Sequence, residues 1–274
     1  DNGLLDVFLH DRQTGVTERV SVGPGGAEGN GLSTAPHISA DGRFVAFKSD
    51  ATNFVAGDDN GLRDLFLYDR DTGDTELVSV NVQGGFSDGH AEEASISADG
   101  RFVAFTGWGT DLVPRDTNGL ADIFVRDRLL DTTERVSLKS SGIQANGACG
   151  EPHISADGRY VSYRSLASNL APGDTNGTWD IFVSDRQLRL TRRASRASDG
   201  SGGNGECFLS ALSADGRYVA FDSLADNLVP GDANGSRDVF LRDRQTGTTW
   251  RVSVRSNGQE GNHASFAANG SFLS

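Results

Sequence analysis

Four stretches of the chain set oxygen-bearing side chains at one fixed spacing: Asp58, Asn60, Gly61 and Asp64; Asp116, Asn118, Gly119 and Asp122; Asp174, Asn176, Gly177 and Asp180; Asp232, Asn234, Gly235 and Asp238. A carboxylate, an amide two residues on, a glycine for a sharp turn and a second carboxylate make a short loop able to wrap a hard cation. Ca2+ accepts six to eight oxygens in flexible geometry, whereas Mg2+ demands a near-ideal octahedron, so Ca2+ is the expected ion. A further oxygen is expected from Asn53, Asp111, Asn169 and Asn227, one equivalent position upstream. Two carboxylates per loop imply a Kd on the order of 10⁻⁴ to 10⁻³ M, as in extracellular modules. The same residues also fit a plain Asx turn, in which Asp and Asn bond local N–H groups and Asn-Gly permits positive φ. A turn needs one such residue, however, and these loops carry three, four times over. A fifth loop retains only Asn2, Gly3 and Asp6, so four good sites and one damaged site are expected.

The elements that position these loops follow from an internal repeat. Asp6, Asp64, Asp122, Asp180 and Asp238 fall 58 residues apart with no insertion, as do Asp41, Asp99, Asp157 and Asp215 in the signature ISADGRFVAF, with Asn269 in a degenerate last copy. Each repeat reads as four short strands, called a to d: PHIS, an Asp-Gly hairpin turn, RFVAF, the b–c loop with the acidic residues, DLFLYD, a second turn, and TELVSV. Val, Ile and Phe dominate the strands, and no helical spacing is present. A long period holding four strands is a propeller-blade signature. The chain opens inside one repeat and ends inside another, so an open array would leave two bare edges. The expectation is therefore an all-β, five-bladed β-propeller of four-stranded antiparallel blades, a single domain over 1–274, closed by a blade shared between residues 1–22 and 264–274.

ISADGRYVAF followed by strands of the DIFVRDRQTG type resembles the TolB-like, WD40-like propeller repeats known as PD40, across essentially the whole chain. The repeat here is longer, mainly through its b–c loop. The resemblance implies a propeller and an extracytoplasmic bacterial setting, but no single activity. The acidic loop is itself similar to the DxDxDGxxD calcium loops of EF-hand-like and integrin-type repeats. That match puts Asp58, Asn60 and Asp64 at side-chain ligand positions and Leu62 at a backbone-carbonyl position. The first aspartate of the longer pattern is replaced by Ala56, Pro114, Pro172 and Pro230, which leaves the site short of ligands.

The chain has 274 residues and a formal net charge of −13, which disfavours nucleic acid and anionic membranes as partners. No apolar run approaches the ~18 residues of a spanning helix, and membrane insertion is not expected. The missing initiator Met reads as a mature or excised fragment. A secreted, periplasmic or cell-surface monomer follows. Sequons at Asn176 and Asn234 lie inside the acidic loops, where glycans would compete with an ion, which favours a bacterial source.

A protein or carbohydrate ligand is expected on the loop face, where Phe86, His90, Trp108, Trp179 and Phe208 break the repeat. Cys149 and Cys207 share one position in neighbouring repeats and are candidates for a disulfide. Asp69, Asp127, Asp185 and Asp243 are expected to pair with Arg43, Arg101, Arg159 and Arg217. Phe8, Phe66, Phe124, Phe182 and Phe240 are expected in the core between blades. The leading function is an extracellular calcium-binding propeller used as a binding or scaffold module. The alternatives are a multivalent lectin, and a glycoside hydrolase or lyase using Glu92, Glu93, Glu151 or Glu206. No nucleophile–base arrangement stands out, so a non-enzymatic role is favoured.

Overall fold

A computed structural model describes residues 2–256 and 258. Clustering of the backbone divides the chain into two compact units, Asp1–Arg135 and Val136–Ser274. The first unit opens with a hairpin of β1 (Phe8–His10) and β2 (Thr17–Arg19), then a small pair of β3 (Val22–Gly23) and β4 (Ala27–Glu28) around a 3-10 turn at Pro24–Gly26. Two four-stranded sheets follow: β5 (Ser33–Ile38), β6 (Phe44–Ser49), β7 (Asp64–Asp69) and β8 (Asp74–Leu77), then β9 (Ala91–Ile96), β10 (Phe102–Gly107), β11 (Asp122–Asp127) and β12 (Thr132–Arg135).

The second unit holds two more sheets. One contains β13 (Cys149–Ile154), β14 (Tyr160–Ser165), β15 (Asp180–Asp185) and β16 (Leu190–Arg193). The other contains β17 (Cys207–Leu212), β18 (Tyr218–Ser223), β19 (Asp238–Asp243) and β20 (Thr248–Arg251). All four sheets are antiparallel meanders in chain order, matching the strands read from the repeat. The expected pairing of the first strands with residues 264–274 lies outside the described residues.

The strand patterns explain this layering. Strands b and c are buried on both faces, as in β7 and β11, while strand d alternates exposed and half-buried residues, as in β8 and β12. Each central pair therefore packs on two sides and each strand d forms an outer rim. Within the first unit, Phe44, Leu65 and Leu67 of one sheet pack against Ala94, Ile96 and Phe105 of the next. In the second unit, Ile181 and Val183 meet Leu212, Val219 and Phe221. The strand c phenylalanines Phe66, Phe124, Phe182 and Phe240 are fully buried. Phe8 departs from the expectation and is 59% exposed. The residues that the repeat aligns with strands a and b of this copy lie outside the described residues.

The a–b turn is held by its own side chains. Ser97 Oγ donates to Asp99 Oδ1 at 2.7 Å, and that oxygen also accepts the Arg101 N–H at 3.0 Å. Arg101 then forks onto Asp127 of strand c, with Nε and Nη2 at 2.9 and 2.7 Å from the two carboxylate oxygens. Arg43–Asp69, Arg159–Asp185 and Arg217–Asp243 repeat the fork, as the sequence led us to expect. The fork holds the Asp69 and Asp127 carboxyls below the usual range. A depressed native pKa contributes stability that is complete above the unfolded value, about 3.9, and disappears as pH falls through the native value. Urea midpoints should therefore drop on acidification below about pH 4, and Arg101→Ala should flatten part of that drop; an identical acid profile would remove the fork from the acid sensitivity.

Gly100 in this turn sits at φ +71°, and a Cβ there would come within 2.1 Å of the Phe44 ring of the preceding sheet. Gly15 has a similar φ of +73° with open space around it. Gly15→Ala should cost about 1–2 kcal/mol from the left-handed backbone alone. Gly100→Ala should cost a further 1–3 kcal/mol or so from overpacking, measurable by urea unfolding.

Candidate functional site

Each strand c begins with an aspartate in the protein interior, and Asp64, Asp122, Asp180 and Asp238 are fully buried. A serine two residues past the end of strand d satisfies one oxygen: Ser79 Oγ donates to Asp64 and Ser195 Oγ to Asp180, both at 2.7 Å, and Ser253 donates to Asp238. The same serines accept the N–H of Leu65, Ile181 and Val239. The loop asparagine closes the arrangement. Asn60 Oδ1 accepts the Leu62 N–H at 2.8 Å, and its amide donates to Asp64 Oδ2 at 3.0 Å. Asn234 does the same with Ser236 and Asp238. Asn118 and Asn176 likewise cap Leu120 and Thr178. The asparagine oxygens thus serve the turn, and their amides face the buried carboxylate.

The first loop aspartate needs a counter-charge beside the buried one, and in three loops strand d supplies it. Arg135 Nη1 lies 2.8 Å from Asp116 and 3.1 Å from Asp122. Arg193 reaches Asp174 at 3.5 Å and Asp180 at 2.6 Å. Arg251 reaches Asp232 at 3.1 Å and Asp238 at 3.8 Å. The N-terminal copy puts Arg19 3.4 Å from Asp6. These arginines occupy the space between carboxylates where the sequence pattern suggested an ion. Repeat alignment places Leu77 at the same position in the remaining copy. There, Asp58 Oδ1 is buried with no hydrogen-bond partner. Desolvation, with the neighbouring charges of Asp64 and Asp59, pushes the Asp58 carboxyl up to about 6. Desolvation raises Asp64 as well. Of the four loops, this one offers two carboxylates with no built-in cation. Among the described residues, no three His, Cys, Asp or Glu side chains group to hold a metal, so any ion here would draw its other oxygens from backbone or water.

The remaining expected residues are placed elsewhere. Asn53, Asn169 and Asn227 each accept one N–H (of Asn30, Asn146 and Asn204) and donate to a carbonyl (of Glu28, Gln144 and Gly202), clamping the Gly-rich d–a loop. Asp111 clamps the same loop by accepting from the Ser87 hydroxyl, the Asp88 N–H and the Asn81 side-chain amide. All four therefore staple the d–a loop through their side-chain hydrogen bonds. Phe86 packs on the core, and the His90 ring accepts the Arg63 N–H. Trp108 is exposed, with its N–H on the His90 carbonyl. In the second unit Trp179 and Phe208 lie under the guanidinium groups of Arg164 and Arg237 at 4.6 and 3.8 Å.

Cys149 and Cys207 are both free and buried, contrary to the expected disulfide. Cys149 Sγ bonds Ser165 Oγ within its own sheet, and burial pushes the Cys207 thiol up to about 12. Cys207 packs in the core between its own sheet and the preceding one, beside Ile181 and Ala194. Against the desolvation of burial, Lys48 and Arg63 hold the Glu92 carboxyl below the ordinary range. The arginines of strand d were the functional residues not read from sequence. Aligning position 77 across the repeats as Arg19, Leu77, Arg135, Arg193 and Arg251 would have exposed them.

No family model matches the chain, and no curated protein matches it. Solved structures do. TolB from Acinetobacter baumannii aligns at TM-score 0.50 and 18% identity over 89% of this chain and 47% of its own. The fold is a TolB-like β-propeller. An oligogalacturonate lyase from Vibrio parahaemolyticus (TM-score 0.55, 12% identity) covers 90% of this chain and 58% of that one. Dipeptidyl peptidase 4 from Porphyromonas gingivalis (TM-score 0.54, 15% identity) covers 91% and 36%. The chain thus spans about half the length of the first two and a third of the last. At these identities the likeness is one of fold, and propellers support unrelated activities. Among the described residues, no helix is long and apolar enough to cross a membrane.

The arginine assignment makes a direct prediction. Arg135→Leu recreates the Leu77 environment around Asp116 and Asp122. Removing one partner of a buried ion cluster should cost about 3–5 kcal/mol in denaturant unfolding. A loss of only a few tenths would mean that the guanidinium does not compensate the two carboxylates.

Proposed function

We propose that this chain is a five-bladed propeller acting as a binding or scaffold module, stabilised by one Ca2+ in the Asp58–Asp64 loop. The observation that carries the ion is the orphaned, buried Asp58 oxygen in the one loop whose strand d arginine is replaced by Leu77. Asp58 and Asp64 would bind the ion through their carboxylates. Asn60 would hold the turn and the Asp64 carboxylate in place. In the other three loops a guanidinium does the ion's electrostatic work, so four equivalent calcium sites give way to one. Five blades follow from the 58-residue spacing, with residues 1–22 and 264–274 sharing a blade.

A two-carboxylate loop with an affinity near 10⁻³ M, roughly, fills only where calcium is abundant. That favours a secreted, periplasmic or cell-surface location. A protein or carbohydrate partner on the loop face fits the propeller scaffold. A lectin is less well supported, because Trp179 and Phe208 stack under arginines and, among the described residues, no aromatic platform recurs.

Calorimetric melting tests the ion. Calcium at about ten times its Kd should add about 1.4 kcal/mol, and EDTA should remove the gain. Leu77→Arg, which installs the strand d arginine of the other repeats, should raise the EDTA melting temperature and abolish the calcium response. A wild type indifferent to calcium would sink the proposal, and a response surviving in Leu77→Arg would move the ion to another loop.

A further inference from the structure

Within the second unit, a cavity of about 300 Å³ opens between the sheet of β13–β16 and the sheet of β17–β20. Six arginines line it, with Asp185 as the one carboxylate. Two of the six are spent. Arg159 takes both oxygens of Asp185, and Arg193 neutralises Asp174 and Asp180. Among the described residues, the other four, Arg192, Arg196, Arg242 and Arg244, have no carboxylate within ion-pair distance. Arg196, Arg242 and Arg244 donate to backbone carbonyls: Arg196 to that of Gly200, Arg242 to those of Arg196 and Ala197, and Arg244 to that of Gly216. The Arg244 guanidinium also lies 4.4 Å above the Tyr160 ring. Desolvation, together with the neighbouring charge of Arg196 on one and of Arg192 and Arg159 on the other, lowers both Arg242 and Arg244. Cations are crowded and partly dehydrated here, in a chain whose net charge is −13.

The repeat shows that the scaffold does not require this crowding. Position 192 is Glu18, Glu76 and Glu134 in three other copies. In the first unit those glutamates neutralise the counterparts of Arg244: Arg70 Nε lies 2.6 Å from Glu18 and Arg128 Nε lies 2.5 Å from Glu76. Arg192 reverses that charge and leaves Arg244 without its usual partner. Position 196 is Val22, Val80, Leu138 and Val254 in the other copies, and only here is it arginine. One groove has therefore lost an anion and gained two cations while keeping the surrounding strands, turns and fork.

We propose that this cavity binds a small organic anion carrying a phosphate or sulfate group. Four guanidinium groups, from strands β16 and β19 and the segments that follow them, suit a tetrahedral oxyanion, whose terminal oxygens accept paired N–H donors better than one carboxylate can. Tyr160, Leu188 and Leu190 add an aromatic and aliphatic wall, so the ligand carries an apolar or ring portion beside its charge. The volume lies at the low end of ligand pockets, which excludes a long polymer as the occupant of the cavity itself. This site is independent of the calcium loop.

Isothermal titration at about 0.15 M salt, with phenyl phosphate, phenyl sulfate, inorganic phosphate and neutral phenol as probes, tests the proposal. An aromatic oxyanion ester should bind in the millimolar range or tighter, ahead of inorganic phosphate, with no heat from phenol. The two esters tell phosphate from sulfate. Arg192→Glu, which restores the glutamate of the other copies, should weaken binding by about tenfold or more and melt no lower than wild type. Arg196→Val should weaken it too, while the exposed Arg12→Glu, an equal change in net charge, should not. No binding of either ester at millimolar concentration, unchanged binding in Arg192→Glu, or an equal loss in Arg12→Glu would each overturn the assignment.

Discussion

Every repeat is organised around a carboxylate that has been taken out of water at the start of strand c. An ionised group buried in this way costs several kcal/mol, roughly, unless charge and hydrogen bonds compensate it. The Asp64, Asp122, Asp180 and Asp238 carboxylates meet that requirement in layers: a serine just past strand d, an asparagine from the preceding loop, and a strand d arginine in all but one case. The carboxylate thereby fixes the register of c against d and the path of the b–c loop. Aspartate also ends strand c, where Asp69, Asp127, Asp185 and Asp243 receive the forks of the a–b turn. One strand with an acid at each end is pinned to d at one end and to b at the other.

This double clamp explains how a strongly acidic chain maintains ordered turns. Most of the repeated aspartates face a guanidinium or a backbone N–H instead of one another. Arg159 and Arg217 also lie over the rings of Tyr160 and Tyr218 at 4.8 Å, so each fork arginine packs as well as pairs. The hydrophobic core then needs only short strands, because the ends of each blade are closed by charge.

Much of this was legible in the sequence, since spacing of 58 with no insertion fixes which residues are equivalent. Strand positions, the Asp-Gly turns and the Arg101–Asp127 type of fork all follow from local pattern. The ion-loop chemistry was read only halfway. Asp58 and Asp64 stand out in the sequence, but the side chain that neutralises their equivalents comes from strand d, 13 to 19 residues later, where Arg135 reads as one polar residue in an alternating edge strand. The cysteines show the opposite failure. Equivalent positions made Cys149 and Cys207 look like partners, yet both are free and buried, because equivalence along a repeat does not encode the distance between neighbouring copies. Phe8 shares the strand c pattern of Phe66, but its exposure depends on which strands cover it, which a pattern along one strand does not encode.

A repeat also separates what a scaffold needs from what a site needs. Features shared by the four four-stranded sheets, such as the fork and the buried aspartate that opens strand c, belong to the scaffold. A departure that leaves charge uncompensated works against blade stability, and it requires another cause. Leu77 leaves two carboxylates without a cation, and Arg192 leaves guanidiniums without an anion. The two departures have opposite sign and lie in different units of the chain. Each leaves charge of one sign uncompensated in the folded chain, and that is the physical basis of both binding proposals.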